Sequence, residues 1–311
     1  MILTVTPNTT LDHVYVVDRL VRGEKLEVAE SIECLGGKGG LLSAFAVDLG
    51  ARSVALGFAA GENGRKLARF LRARGVVADL SFVQGETRRI ITIVERQKAG
   101  ETLLQPVTLR STRRDEVDLL RRANRWLPKA SWLALCGSLC PGCSPDLYAR
   151  LARLARKHHV PVMIDSRGPA LSCALPERPA IVKLNRSELE QTVGSKLPRT
   201  SELVAALRRL IARGVELAAC TLGAGGVLAA TAETAWRITP PKVRAKSATG
   251  AGDAFGAGLL TSLERGLGWQ EALRWAVAAG TGKSLETRTD GFNPAVVRQV
   301  FRRVRVLSVR A

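Results

Sequence analysis

The stretch Ala248-Thr249-Gly250-Ala251-Gly252-Asp253-Ala254-Phe255 sets two glycines and an aspartate at the head of an apolar run that reads as a helix start. Glycine lets a backbone approach a ligand closely, and a helix start points unpaired N–H groups at whatever lies there. Such a place favours an anion. A carboxylate beside it repels phosphate unless it serves as a base. The combination suits phosphoryl transfer, with N–H groups holding developing negative charge and Asp253 accepting a hydroxyl proton. The same residues also suit a plain helix start, where Asp is common in the first turn. On this stretch alone both readings stand.

Outward from it, strands and helices alternate. Upstream lie strands at 215–221 and 226–230, a helix at 200–213 and a strand at 180–184. Before those come a helix (115–127), a strand (131–136), a helix (144–158) and a strand (160–165). The chain opens with a buried strand at 2–6. Gly36-Gly37-Lys38-Gly39-Gly40 leads into an apolar helix ending at Gly50, then a strand (53–57) and a helix (65–75). Downstream, a long helical region begins at Gly252. This rhythm predicts an α/β fold, a mostly parallel central sheet with helices on both faces. Two β pairs interrupt it, at about 12–34 with a turn at Arg22-Gly23, and at about 88–107 around Ala99-Gly100. They are expected to form a small β lid on a single domain spanning 1–311.

Composition narrows the function. The chain has 311 residues, 46% apolar and 24% charged, which excludes a mostly disordered protein. No apolar run reaches the roughly 18 residues of a membrane span. The opening residues lack a basic segment before an apolar one, so a cytoplasmic protein is expected. Lys and Arg total 47 against 28 acidic residues, a net charge of +19 that attracts anions. Yet Arg65, Arg69 and Arg72, like Arg121, Arg122 and Arg125, recur at helical spacing, the pattern of a solvated helix face. Aromatic residues for stacking on bases are few. No nucleic-acid partner is expected.

Cys136, Cys140 and Cys143 form C-x3-C-x2-C, a spacing that also serves iron–sulfur clusters, but Gly142 stands where such motifs carry an aromatic residue. Gly280-Thr281-Gly282-Lys283-Ser284 imitates a phosphate loop, but Val277 stands where that motif needs glycine, and the stretch continues a helical run.

Five ordered motifs join the first. They are Gly36-Gly37-Lys38-Gly39-Gly40, Cys136-Gly137-Ser138-Leu139-Cys140-Pro141-Gly142, Lys183-Leu184-Asn185-Arg186-Ser187-Glu188, Thr221-Leu222-Gly223-Ala224-Gly225-Gly226 and the opening Thr6-Pro7-Asn8-Thr9-Thr10-Leu11-Asp12. Together they make the chain resemble the ribokinase-like, PfkB-type carbohydrate kinases from about residue 3 to 300. The opening and Lys25 resemble the phosphofructokinase and tagatose-6-phosphate kinase subgroup. The resemblance implies a ribokinase-like fold and ATP- and Mg²⁺-dependent phosphorylation of a sugar phosphate. It implies Asp253 as base and the N–H groups of Gly250, Ala251 and Gly252 as the anion hole. Glu188 and Asn185 would position Mg²⁺, largely through water. Lys183, Asn185, Thr221, Gly223 and Gly225 would lie along ATP. Asp12 and Gly37 would meet the sugar, and Lys25, Arg88 and Ser138, with Lys38, its phosphate. Arg89 is a rival for the role of Arg88.

Two positions depart from the family pattern. Leu41 and Ile90 stand where asparagines are usual near the sugar. Groups that recognise hydroxyls dominate discrimination between similar substrates. A phosphorylated acceptor other than fructose 6-phosphate or fructose 1-phosphate is therefore expected to fit best. The alternatives are a kinase of an unphosphorylated sugar or nucleoside, and an idle relative that binds nucleic acid through its basic surface. The lid strands, too small to bury their own apolar residues, predict a homodimer joined through them.

Overall fold

The computed structural model describes residues 1–97 and 101–309. The chain opens with β1 (Ile2–Thr6), β2 (Thr10–Val17), β3 (Glu30–Leu35), α1 (Lys38–Asp48), β4 (Ser53–Ala59), α2 (Gly61–Ala73), the short β5 (Val77–Ala78) and β6 (Ser81–Phe82), β7 (Arg88–Glu95) and β8 (Glu101–Leu104). Next come α3 (Arg113–Trp126), β9 (Trp132–Cys136), α4 (Leu147–Lys157), β10 (Val162–Asp165), α5 (Gly168–Ala174), β11 (Ile181–Asn185), α6 (Arg186–Val193), α7 (Thr200–Ile211) and β12 (Leu217–Thr221). The last part holds β13 (Val227–Ala230), β14 (Ala235–Thr239), α8 (Ala251–Glu264), α9 (Trp269–Ser284), α10 (Pro294–Phe301) and β15 (Arg305–Val309).

Among the described residues the main sheet runs β15-β14-β13-β12-β11-β10-β9-β1-β4-β5, with β6 also pairing β4. From β12 to β5 neighbouring strands are parallel, and β13, β14 and β15 add an antiparallel edge. A parallel sheet is covered on both faces, so its strands read as near-continuous apolar runs. β1 and β9 are fully buried. Their side chains alternate between two cores. Ile2, Ala134 and Cys136 face the core of α1, α2, α8, α9 and α10. Leu3, Val5, Leu133 and Leu135 face the core of α3, α4, α5 and α7. The chain steps from β1 to β4 on one side and later to β9 on the other. Ligands of open α/β sheets bind outside the strand C-termini at such a reversal.

The second sheet has the order β3-β2-β7-β8 and is the expected lid. It is narrower than the sequence predicts. Residues 18–29, rich in charge and broken at Gly23, form no strand, and β8 ends at Leu104. The Ala99-Gly100 turn lies outside the described residues. The single helical region expected after Gly252 is three helices, interrupted around Gly266 and again before Pro294. Helices α5 and α6 and strands β14 and β15 are not anticipated by the periodicity, because each is a short element after another short element.

Candidate active site

The Gly250–Gly252 turn opens α8. Gly250 is left-handed (φ 84°), and a Cβ there would come within 2.9 Å of the Thr289 carbonyl oxygen. Gly252 admits a cation: a Cβ on it would lie 2.9 Å from Lys183 Nζ. The Ala251 N–H donates back to the Ala248 carbonyl at 3.2 Å, whereas Gly250 and Gly252 donate to no backbone carbonyl among the described residues. The expected anion hole of three N–H groups therefore has two free donors. Asp253 follows in the first turn of α8, only 8% exposed. Burial, and beyond it the carboxylates of Asp165 and Glu188, raise its pKa to about 7, against the opposing Lys183 and Lys38 ammoniums. A carboxyl group poised there can take a proton near neutral pH.

Behind the loop lies a chain of ion pairs. Asp165, the last residue of β10, accepts from Lys38 Nζ at 2.7 Å and from Lys183 Nζ at 2.6 Å. Burial alone would raise the Asp165 pKa, but the two ammoniums outweigh it and hold it down at about 2. Lys38 also reaches Glu188 Oε1 at 3.2 Å. Glu188 and Asn185 are the two halves of a capping box on α6: Asn185 Oδ1 accepts from the Glu188 N–H at 2.8 Å and Glu188 Oε2 from the Asn185 N–H at 2.9 Å.

The lid supplies the third group. Asp12 on β2 is buried opposite Ile90 on β7. Its Oδ1 has no hydrogen-bond partner, and neither has Arg88 Nε. A buried polar atom without a protein partner calls for one from water, an ion or a ligand. Burial, then the nearby Asp253 charge, raises the Asp12 pKa to about 7. The carboxylate fits only because residue 36 is glycine, where a Cβ would fall 2.1 Å from Asp12 Oδ1. Arg88 donates to the Asn8 carbonyl at 3.4 Å, and the Asn8 amide donates to Ser138 Oγ at 3.3 Å. Arg88 and Ser138 thus share one corner. Arg89 is committed elsewhere, 2.8 Å from Glu33.

The arrangement therefore holds a buried carboxyl group beside two free N–H groups, two ammoniums next to it, and a polar corner under a lid. A family description, pfkB family carbohydrate kinase, matches residues 5–293. The chain belongs to the pfkB family of carbohydrate kinases. As a member it is an ATP-dependent carbohydrate kinase. It is 34% identical over 288 residues to a 1-phosphofructokinase of Rhodobacter capsulatus, covering 90% of this chain and 89% of that one. Among solved structures it resembles a protein of Thermotoga maritima described as a possible 1-phosphofructokinase (TM-score 0.91, 25% identity, 99% of both chains). It also resembles phosphofructokinase-2 of Escherichia coli in complex with substrates and products (TM-score 0.88, 23% identity, 97% of this chain and 98% of that one).

The pfkB-family chain gathers some of the residues expected from its motifs and moves others. Asp12 lies within electrostatic reach of both Asp253 and Arg88, Gly250 and Gly252 flank Asp253 in the α8 turn, Arg88 and Ser138 meet through Asn8, and Gly37 caps α1 against Thr10. Thr221, Gly223 and Gly225 lie at the C-terminal end of β12, open to solvent on the neighbouring strand. Lys38 is not on the phosphate corner: as the first residue of α1 it points along the strand ends to Asp165 and Glu188, which raise its pKa against burial. Lys183 sits deeper than a residue lying along a nucleotide, only 4% exposed and against Gly252. Lys25 is exposed, with no hydrogen bond or ion pair among the described residues.

Asp165 and Asn8 join the site without having been singled out. Asp165 follows the apolar run Val162-Met163-Ile164 at a strand C-terminus, and that position is its only signal. Among the described residues no three His, Cys, Asp or Glu side chains converge as a metal cluster. Cys136 is buried in the core, and Cys140 and Cys143 pair with each other at 3.3 Å. Glu188 and Asn185 offer one carboxylate and one amide already bonded to protein, a set suited to a hard divalent cation held through its waters.

Proposed function

We propose that this kinase transfers the γ-phosphoryl group of ATP to a hydroxyl of a sugar that already carries a phosphate, with Asp253 as the general base. One observation carries the reading: a buried aspartate with its pKa near 7 in the first turn of a helix whose glycine loop has two free N–H groups. Asp253 takes the hydroxyl proton as the oxygen attacks. The Gly250 and Gly252 N–H groups hold the transferred group, and Lys183 stands beside Gly252 to offset its charge. Asp165 keeps Lys183 and Lys38 in place. ATP lies across Thr221, Gly223, Gly225 and Asn185, where the strand ends are open. Mg²⁺, when bound through water to Glu188 and Asn185, neutralises phosphate charge on the nucleotide.

Asp12 accepts from a sugar hydroxyl through its free oxygen. Arg88 and Ser138 hold the phosphate already present, and a guanidinium suits phosphate bidentately. The likeness to a 1-phosphofructokinase supports an acceptor of the fructose phosphate class. Leu41 and Ile90 narrow it to a phosphosugar presenting fewer hydroxyls at those two points. In this reading the kinase works as a homodimer joined through its lid strands. ADP release over a panel of phosphorylated and unphosphorylated sugars tests the proposal. Turnover confined to phosphosugars is expected. Turnover confined to unphosphorylated sugars or nucleosides would overturn it.

A further inference from the structure

The phosphate-loop imitation at 280–284 is helical, inside α9, and so has no phosphate-binding turn. Its lysine is nevertheless unusual. Lys283 is 0% exposed, and a fully buried ammonium is costly unless it is paired. Among the described residues no carboxylate makes an ion pair with it, and its one hydrogen-bond contact is the Glu286 carbonyl at 3.5 Å. Its stem lies directly behind the anion loop: Cε is 3.1 Å from where a Cβ on Gly250 would stand. The Thr289 carbonyl closes the same space from the other side, 2.9 Å from that point. Burial pulls the Lys283 pKa down, and the carboxylates of Glu101, Glu286 and Asp290 oppose it at a distance. Glu101 comes from the lid and also accepts from the Ala248 N–H at 3.1 Å and Thr249 Oγ1 at 2.6 Å.

The stem of this buried lysine lies against the loop whose free N–H groups are proposed to face the transferred phosphoryl. We propose that Lys283 is a positioning residue for phosphoryl transfer, a cation tethered behind Gly250 that fixes the anion loop and adds to the positive field on the transferred group. It does so without touching either substrate, and the inference rests on the kinase reading above.

The test uses Lys283→Met and Lys283→Ala with steady-state kinetics, and circular dichroism to establish folding. In Lys283→Met, kcat falls about 10- to 100-fold, somewhat less than the loss of a direct oxyanion donor, while KM for ATP and acceptor stays within about threefold, as a term acting only on the transition state requires. In Lys283→Ala, ammonium at tens of millimolar restores part of kcat, and choline at equal ionic strength does not. A merely structural lysine would lower stability and leave this pattern absent. A folded Lys283→Met enzyme with more than half the wild-type kcat overturns the inference, and so does rescue by choline. If neither variant folds, Lys283→Gln decides by the same split: a kcat loss of at least about tenfold with KM unchanged supports it, and a kcat above half the wild-type value overturns it. A wild-type enzyme with no ATP-dependent turnover of any sugar would sink the kinase reading itself, a separate outcome.

Discussion

Asp253 and Asp165 show how far single residues reveal themselves. Asp253 is legible because a carboxylate at an anion site needs a reason. Asp165 is not, because an aspartate after an apolar strand has no motif, only a place in the fold. Asp253→Asn is expected to lower kcat at least ~10²-fold, the ordinary contribution of a general base, while ATP affinity measured by calorimetry stays unchanged. The base must be ionised to accept a proton, and its pKa is raised to about 7. kcat/KM should therefore fall as pH drops below about 7 and level off above it. A profile flat down to acidic pH would reject the assignment. Leu41 and Ile90 carry the substrate question. Ile90 is buried in register with Asp12, and Leu41 Cδ1 lies 3.7 Å from a Cβ placed on Gly250. A hydroxyl facing either is left unpaired, at about 1–3 kcal/mol. Leu41→Asn with Ile90→Asn is expected to raise kcat/KM on fructose phosphates roughly tenfold or more. No gain, with fructose phosphates already the best substrates of the wild type, would mean that water or neighbouring groups replace the lost amides.

Among the elements, α6 shows why a motif can be right while its local reason stays hidden. The N-x-x-E spacing is also a capping box: Asn185 and Glu188 satisfy each other's backbone, which turns the Glu188 carboxylate inward to Lys38. Sequence supplies the spacing, and only the packing of α1 beside α6 supplies the partner. Glu188→Gln keeps the bond to the Asn185 N–H and removes the charge. The Mg²⁺ concentration for half-maximal activity is expected to rise about tenfold, the low end for a group that orients a metal's surroundings, with little change in acceptor KM. An unchanged Mg²⁺ titration would count against the role. The lid is where element prediction is weakest. Its strands are read at 12–34 and 88–107, but a charged loop occupies 18–29, because alternation alone does not separate a strand from an exposed irregular segment.

At the scale of the molecule, the charge of +19 resolves partly into internal pairing. Arg122 and Arg125 share Asp79, and Arg65 and Arg69 share Glu62, so both helical arginine rows are solvated faces, as their spacing predicts. The lid has a less settled surface. Its inner face carries Asp12, Val14 and Val16, all buried. Register puts His13, Tyr15, Ile91, Ile93 and Leu104 on the outer face, where none is fully buried and Leu104 is 50% exposed. A sheet face of this kind seeks cover. Light scattering is expected to report a homodimer at micromolar concentration, and Tyr15→Asp with Ile91→Asp a monomer. A wild-type monomer under those conditions would end the idea.

The parallel pairing of β2 with β7 carries a consequence for how the enzyme is made. β2 ends at Val17, and its partner begins only at Arg88, after α1, β4 and α2 have been laid down. On the ribosome, the residues of the proposed sugar corner, Asp12, Arg88 and Ser138, are all translated before Asp253 and its glycine loop. Of the parts proposed here, those for the acceptor are made first and the base is made last. On the proposed roles, a chain that ends before Asp253 lacks the base that would activate either a sugar hydroxyl or water against ATP.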